Sequence, residues 1–293
     1  MDLPKKPYDL HNHTIVSKDG MTPARKILDL CAERGVKGIG ICDHDELPDP
    51  TVQDYAKEKG VRLALGTEFS CHKVHIIGYR MSISTGDRAF MENRALDLRR
   101  SYVAASRKAI DVLINNGYPV TYEEVSAYYG KPDLQKLFVF KYAAEVQKRF
   151  AYWADASRFV KKIADIADAD DAEPVDPCDI IDMIHKSGGF AIWAHPFLTP
   201  EPLRSQCFES FKAHGVDAIE AEYAYQQNSY KGKETNAEIE ALVRAHCKEL
   251  GIAVSGGSDS HYPAKTYEDQ TPVLPGDFGI NDQEFEVLKH MFG

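Results

Sequence analysis

Histidine and carboxylate side chains recur at short spacings along this chain. His11 and His13 form an H-x-H pair in "DLHNHT", and Asp43, His44 and Asp45 form "CDHD". Glu68 lies in "GTEFS", His75 in "VHIIGY", His195 in "AHP", and Asp259 and His261 in "GGSDSH". Imidazole nitrogens and carboxylate oxygens are the donors that hold zinc, manganese, iron or nickel. A lone H-x-H has an ordinary reading as two polar side chains on a strand facing water. On a strand, residues i and i+2 share one face, so His11 and His13 project together with Asp9 below them. The two readings part on whether other donor residues sit at the ends of other strands.

The elements that would position these residues alternate. "YDLHNH", "VKGIGICDHD", "VRLALGTEFS" and "KVHIIGYRM" read as the first four strands. "TPARKILDLCAERG" reads as a helix, with Thr22 as its expected N-cap, Pro23 just inside its start and Gly35 as its stop. "DPTVQDYAKEKG" reads as a second helix ending at Gly60. The alternation breaks between about Asp87 and Asp176, a mostly helical stretch rich in Tyr, Lys and Arg. It resumes with strands "FAIWAHP", "VDAIEAEYA" and "IAVSGGSDSH" and their helices. Repeated βα units imply an α/β fold with a parallel sheet or barrel of about seven strands, one short of the eight-stranded form. The expected organisation is a barrel domain over 1–86 and 177–293, with 87–176 as an inserted helical subdomain. The acidic, proline-bearing run "ADIADADDAEPVDP" reads as the linker back to the barrel.

Six of these strands are expected to deliver His, Asp or Glu at their C-terminal ends, the face that carries chemistry in βα barrels. Stability alone favours apolar or turn residues there, so the set reads as a metal site. The donors outnumber what one four- or five-coordinate ion can use, which implies two or three ions with Glu68 as a bridge. Other histidines read differently. His72 is expected at the surface, and His185, His214 and His246 sit late in helices, where they favour the C-terminal dipole. His290 is expected to be exposed in the tail. Asp43 and Asp45 are open between orienting an imidazole or lysine and capping a turn.

Composition sets bounds. The chain has 293 residues, 43% of them apolar, enough for a large core without disulfides. Its six cysteines are scattered without a C-x-x-C, as reduced cytosolic thiols would be. No eighteen-residue apolar run and no signal-type leader are read, so a cytoplasmic protein with no membrane partner is expected. The formal net charge of −10 disfavours binding to long nucleic acid. An anionic substrate must therefore find a local positive centre.

H-x-H, D-H-D, G-x-E, H-I-x-G, A-H-P and G-S-D-x-H, in this order, resemble the PHP (polymerase and histidinol phosphatase) family, over residues 7–85 and 177–265. The resemblance is to stand-alone phosphoesterases with a helical insertion. It implies a distorted (β/α)7 barrel with a trinuclear centre of divalent ions, Mn, Zn or Fe. Carried over by motif, His11, His13, Glu68 and Asp259 would hold the first ion, Glu68, His75 and His195 the second, and Asp19, His44 and His261 the third. The family pattern H-x-x-x-S-D-G here reads "HTIVSKDG", with Lys18 inserted before Asp19. Either the loop bulges at Lys18 and Asp19 still reaches the site, or Asp19 points to water. The segments "AHPFLTP" and "KLFVFKYAAEVQKRF" lack the arginines and the arginine–histidine pair of nucleotide-acting relatives.

The implied chemistry is attack of a metal-bridging hydroxide on phosphorus, in line with the leaving alkoxide. The expected substrate is a small anionic phosphate ester: a phosphomonoester, a nucleoside bisphosphate, or a cyclic sugar or nucleotide phosphate. The alternatives are a histidinol-phosphate phosphatase, an exonuclease on short oligonucleotides, or a degenerate PHP module kept for interaction. The insertion is expected to roof the active site. Lys136, Lys141, Arg149, Arg158, Lys161 and Lys162 are its candidate phosphate contacts, each with a solvated helix face as the ordinary reading. Tyr225, Gln226, Asn228 and Lys231 are placed in a loop near the barrel mouth.

Overall fold

The computed structural model of the chain describes residues 5–71, 73–166, 175–228, 230–261 and 273–292. Seven strands run β1 (Tyr8–Asn12), β2 (Gly38–His44), β3 (Arg62–Cys71), β4 (Val74–Tyr79), β5 (Phe190–Ala194), β6 (Ala218–Glu222) and β7 (Ala253–Gly256). The helices are α1 (Ala24–Arg34), α2 (Gln53–Glu58), α3 (Thr85–Asn115), α4 (Tyr122–Tyr129), α5 (Lys136–Lys141), α6 (Trp153–Ile163), α7 (Pro177–Lys186), α8 (Leu203–Ala213), α9 (Asn236–Leu250) and α10 (Asp282–Leu288).

The strands form one sheet in sequence order, β1 to β7. The sheet nearly closes on itself. Asn12 bridges Ser260 just beyond β7, the His13 N–H donates to the Ser260 carbonyl at 3.0 Å, and Tyr8 bridges Ile280. This is the distorted seven-stranded barrel that the motifs imply.

One expectation about direction fails. β4 runs antiparallel to both β3 and β5, so His75 lies at the N-terminal end of its strand, not the C-terminal end. Only two residues separate Cys71 from Val74, whereas a parallel crossover needs a dozen or more. The chain must turn back as a hairpin, and the start of β4 then falls at the same rim as the ends of its neighbours. Glu68 likewise sits inside β3, three residues before its end, because the strand continues into that hairpin.

The two strand faces pack differently. Leu10, Cys42, Ala64, Ile77, Tyr79, Ile192, Ala194 and Ala218 form one apolar cluster, with Phe285, Leu288 and Met291 of the C-terminal segment. Ile39, Ile41 and Leu63 face the other way, against Ile27, Leu28 and Cys31 of α1. Burying each such aliphatic side chain contributes about 1.5–3 kcal/mol. The Tyr79 ring fits because Gly40 and Gly66 lack side chains; a Cβ at Gly40 would lie 2.3 Å from the Tyr79 hydroxyl. That hydroxyl donates to the Leu10 carbonyl at 2.8 Å and ties β4 to β1 across the interior. On α1, Pro23 takes the cap position with no side-chain bond, so Thr22 is not the cap, while Gly35 ends the helix at φ 76° as expected.

The described residues fall into two compact units, one of residues 5–91, 175–261 and 273–292, the other of residues 92–166. α3, 31 residues long, starts in the first and runs on into the second. In the second unit α4 begins with a capping box between Thr121 and Glu124, and Tyr118, Phe150 and Phe159 pack ring to ring. Lys136 donates to the Ile166 carbonyl at 3.3 Å, Arg158 pairs with Asp155, and Arg149, Lys161 and Lys162 are exposed. Lys141 departs from a solvated face: it is buried, drawn in at the end of α5 beside Phe138, Val139 and Phe140. Half of the acidic linker run, and His72, lie outside the described residues. Among the described residues no helix is long and apolar enough to cross a membrane. All six cysteines are free thiols.

Candidate metal centre

β1 and the residue just past it carry two buried histidines, His11 and His13, at alternate positions. Asp9, one step below, does not face them. Its carboxylate accepts backbone N–H bonds from Ser258 at 2.9 Å and Gly276 at 2.7 Å, and so fastens β1 to the closing segment. Burial pushes the Asp9 carboxyl up to about 6. At the end of β2, His44 is buried. Its neighbours serve turns: Asp43 accepts from the Thr14 N–H at 2.6 Å and hydroxyl at 2.7 Å, and Asp45 accepts from the Ser70 N–H at 3.1 Å.

Glu68 stands at the middle. Its Oε1 lies 2.8 Å from His75 Nδ1 and 3.0 Å from His195 Nε2. Its Oε2 lies 3.1 Å from His11 Nε2, 3.1 Å from His13 Nε2 and 3.3 Å from His44 Nδ1. One buried carboxylate therefore joins five imidazoles, from β1, β2 and β4 and from the residues just past β1 and β5. Asp259, just past β7, sets Oδ1 3.0 Å from His13 Nε2 and 3.6 Å from His11 Nε2.

The Lys18 insertion is absorbed. The loop folds back so that the Ile15 N–H reaches the Thr22 carbonyl at 2.9 Å and a Cβ on Gly20 would overlap the Thr14 carbonyl. Asp19 turns inward, 7% exposed, with Oδ1 3.0 Å from His261 Nε2 and 3.9 Å between Oδ2 and His44 Nε2. All nine motif residues thus come together at one rim.

The donor set fits divalent ions. Three groupings bring their ligand atoms within 4.8 Å of one another: His11–Glu68–His195, His44–Glu68–His75 and His13–Asp19–His44–His261. His11 Nε2 and His13 Nε2 face each other at 3.2 Å, and His44 Nδ1 and Asp259 Oδ1 are buried without a hydrogen bond. Two like nitrogens facing each other, beside buried donor atoms without a hydrogen bond, suit a shared cation. Cys42 also lies near His11 and His13, but burial pushes its thiol up to about 12, which keeps the proton on sulfur.

The electrostatics are coupled. Burial raises the Glu68 carboxyl, yet His44, His11 and His75 outweigh it and hold it well below the usual range. Burial likewise opposes Asp259, and His261, His11 and His13 hold it low. Burial depresses His13, but Asp259 and Glu68 lift it to about 9, while burial dominates at His44 and drives it down.

Two residues that the motifs do not mark complete the surroundings. Glu220, buried at the centre of β6, places Oε1 3.1 Å from His11 Nδ1 and accepts the His195 N–H on Oε2 at 2.7 Å. Tyr223 donates its hydroxyl to Asp259 Oδ2 at 2.8 Å. A glutamate within the apolar run "DAIEAE" is the signal that reveals the first; nothing in the sequence marks the tyrosine. Of the loop residues expected near the mouth, Tyr225 is fully buried, Asn228 donates to the Tyr223 hydroxyl at 2.9 Å, and Lys231 is exposed. The remaining histidines stay apart: His185 pairs with Asp217 and His214 with Asp182, His246 stacks on Phe208, and His290 is exposed beside Phe190.

The family model of the PHP domain matches residues 9–172. The chain belongs to the PHP domain family. Among curated relatives, a 5'-3' exoribonuclease of Haemophilus influenzae is 27% identical over 270 residues, 88% of this chain and 91% of that protein. A phosphoribosyl 1,2-cyclic phosphate 1,2-diphosphodiesterase of Eggerthella lenta is 30% identical over 122 residues, 39% of this chain and 45% of that protein. In fold, the chain matches a protein from Bifidobacterium adolescentis assigned as a metal-dependent phosphoesterase, with TM-score 0.73, 18% identity, and 99% and 98% of the two chains covered. It also matches an amidohydrolase from Chromobacterium violaceum with bound sulfate and no metal, with TM-score 0.67, 20% identity, and 92% and 93% covered. This PHP protein is a phosphoric ester hydrolase, with a donor set that fits divalent ions.

Proposed function

We propose that this PHP protein hydrolyses a small phosphate ester, such as a phosphomonoester, a nucleoside bisphosphate or a cyclic sugar or nucleotide phosphate. The observation that carries the reading is Glu68, whose two oxygens each face a different set of imidazoles. A carboxylate so placed is built to serve two cations at once. Two or three divalent ions, Mn, Zn or Fe, are expected, held by His11, His13, Glu68 and Asp259, by Glu68, His75 and His195, and by Asp19, His44 and His261. When bound, they supply a positive centre for phosphate oxygens and lower the pKa of water toward 7.

The chain's own residues prepare that centre. Asp259 gives Oδ2 to the Tyr223 hydroxyl and keeps Oδ1 toward His13. Ser17 donates its hydroxyl to Asp19 Oδ1 at 3.0 Å, which fixes the inserted loop. Beneath the rim, Leu10, Cys42, Ala64 and Ile77 form an apolar floor that excludes water. The net charge of −10 favours small anions over long polyanions.

A second reading, removal of nucleotides from the end of a short oligonucleotide, is favoured by the Haemophilus influenzae relative, which matches over 88% of this chain. One assay separates them. Manganese-loaded protein is given a nucleoside bisphosphate, a cyclic phosphate, a simple monoester and a 5'-phosphorylated RNA oligomer. Phosphate release or ring opening from the small esters alone supports the first reading. Mononucleotide release from the oligomer at a higher kcat/KM supports the second. No turnover of any of them would overturn both.

A further inference from the structure

Glu220 lies opposite two of the candidate ligands, and its geometry differs from that of a carboxylate merely filling a buried gap. We infer that Glu220 is a positioning residue that fixes the tautomer of His11 and the backbone turn of His195, so that each imidazole presents Nε2 to one of the two ions that share Glu68. This rests on the metal-centre reading above.

Both Glu220 oxygens approach one ring nitrogen, with Oε1 at 3.1 Å and Oε2 at 3.3 Å from His11 Nδ1. An ionised carboxylate only accepts, so Nδ1 must carry the proton. With an ion bound, the opposite nitrogen, Nε2, is the one left to ligate, on the side where Glu68 Oε2 lies 3.1 Å away. Imidazoles that bind metal commonly need such a partner on the far nitrogen, which fixes the ring and raises its basicity.

The second contact works on the backbone. β5 and β6 pair only at Ile192↔Ala218 and Trp193↔Ile219. Just past this short ladder the chain turns at His195, with φ 29° and ψ 61°, a conformation that non-glycine residues avoid. Glu220 Oε2 accepts the His195 N–H at 2.7 Å, a charge-assisted bond where the ladder stops. The turn delivers His195 Nε2 to within 3.0 Å of Glu68 Oε1. His11, Glu68 and His195 form one of the groupings described above. One side chain on β6 thus sets two of its three members.

Glu220→Gln tests this, because it keeps the shape and leaves one acceptor oxygen. In the wild type Oε2 holds the short His195 bond at 2.7 Å and reaches His11 Nδ1 only at 3.3 Å, while Oε1 makes the closer His11 contact at 3.1 Å. If the glutamine oxygen stays on His195, the amide NH2 faces Nδ1 and favours the tautomer with the proton on Nε2. Zinc titration by calorimetry, with chelator competition, reads the affinity of each equivalent. Nitrogen NMR of the histidine rings in zinc-loaded protein reads the tautomer. The expected result is a 10- to 100-fold loss at the two equivalents that share Glu68, the third holding within about threefold. His11 in the wild type should show Nδ1–H with Nε2 on zinc. A general loss of packing would lower all equivalents together and leave the tautomer alone. All affinities within threefold of wild type would overturn the inference. So would a wild-type His11 carrying its proton on Nε2, a measurement that needs no variant and decides the matter even if Glu220→Gln fails to fold. Wild-type protein that binds no zinc, manganese or iron would instead remove the metal centre itself.

Discussion

Replacing Glu68 by glutamine puts the central carboxylate to the test. The side chain is fully buried, and its two oxygens lie 2.8–3.3 Å from nitrogens of five histidines. Glutamine keeps the volume but removes the charge and turns one acceptor into a donor aimed at imidazole nitrogens. A unit negative charge and a divalent ion about 3 Å apart, at an effective dielectric constant near 20, interact by roughly 11 kcal/mol, the larger part of which is restored when water takes the vacated ligand position. One decade of affinity is about 1.4 kcal/mol. After the amide dipole offsets part of the loss, each ion that Glu68 serves should bind on the order of two to three decades more weakly. Both groupings that share Glu68 should be affected, so more than one metal equivalent is lost together with nearly all turnover. The assay is elemental analysis of gently purified protein beside a phosphate-release rate, with circular dichroism to check the fold. A folded variant that keeps its full metal content and at least half the rate would refute the bridging role.

Other perturbations reach the same centre from different sides. Asp19→Ala should lose one metal equivalent and slow turnover by orders of magnitude, because its carboxylate lies 3.0 Å from His261; metal content and rate within about threefold of wild type would remove it from the site. Tyr223→Phe frees Asp259 Oδ2 and should weaken metal binding by about tenfold with little change in fold; unchanged affinity, read by chelator competition, would show that the hydroxyl only fills space. Chelation should lower the melting temperature: ligand at 100 times its Kd stabilises by about 2.7 kcal/mol, worth roughly 4–5 °C for a chain of this size. Calorimetry that finds no shift on removing and restoring manganese would argue against a resident metal.

The site was legible because its chemistry has few substitutes. Imidazoles and carboxylates placed where apolar strand patterns end have little structural reason to be there, so the motif residues could be named without a fold. Strand direction was harder to read. The segment "VHIIGY" has the same composition whichever way it runs, and only the two-residue gap after Cys71 betrays the hairpin. Asp19 was ambiguous because a loop residue's direction depends on backbone closure, here the fold-back that Gly20 permits. Glu220 lay outside every motif, since a residue that acts through another ligand's far nitrogen carries no spacing rule. Lys141 shows the limit of charge as a guide, because its apolar neighbours in α5 decide its burial.

The sequential strand order has a kinetic side. Most neighbouring strands in this sheet are joined by a hairpin or by a helix-bearing connection of no more than 30 residues, and these can pair earlier. Two seams cannot: β4 with β5, separated by residues 80–189, and β1 with the stretch past β7, which brings Asn12 to Ser260. Loop closure makes such long-range pairings late and slow. The candidate ligands straddle both seams, with His75 and His195 on either side of the first and His13 and Asp259 on either side of the second. Ions that need both sides can join only after the barrel is nearly complete. Metal should then leave the folding rate almost unchanged and slow unfolding, acting as a clasp on the finished barrel.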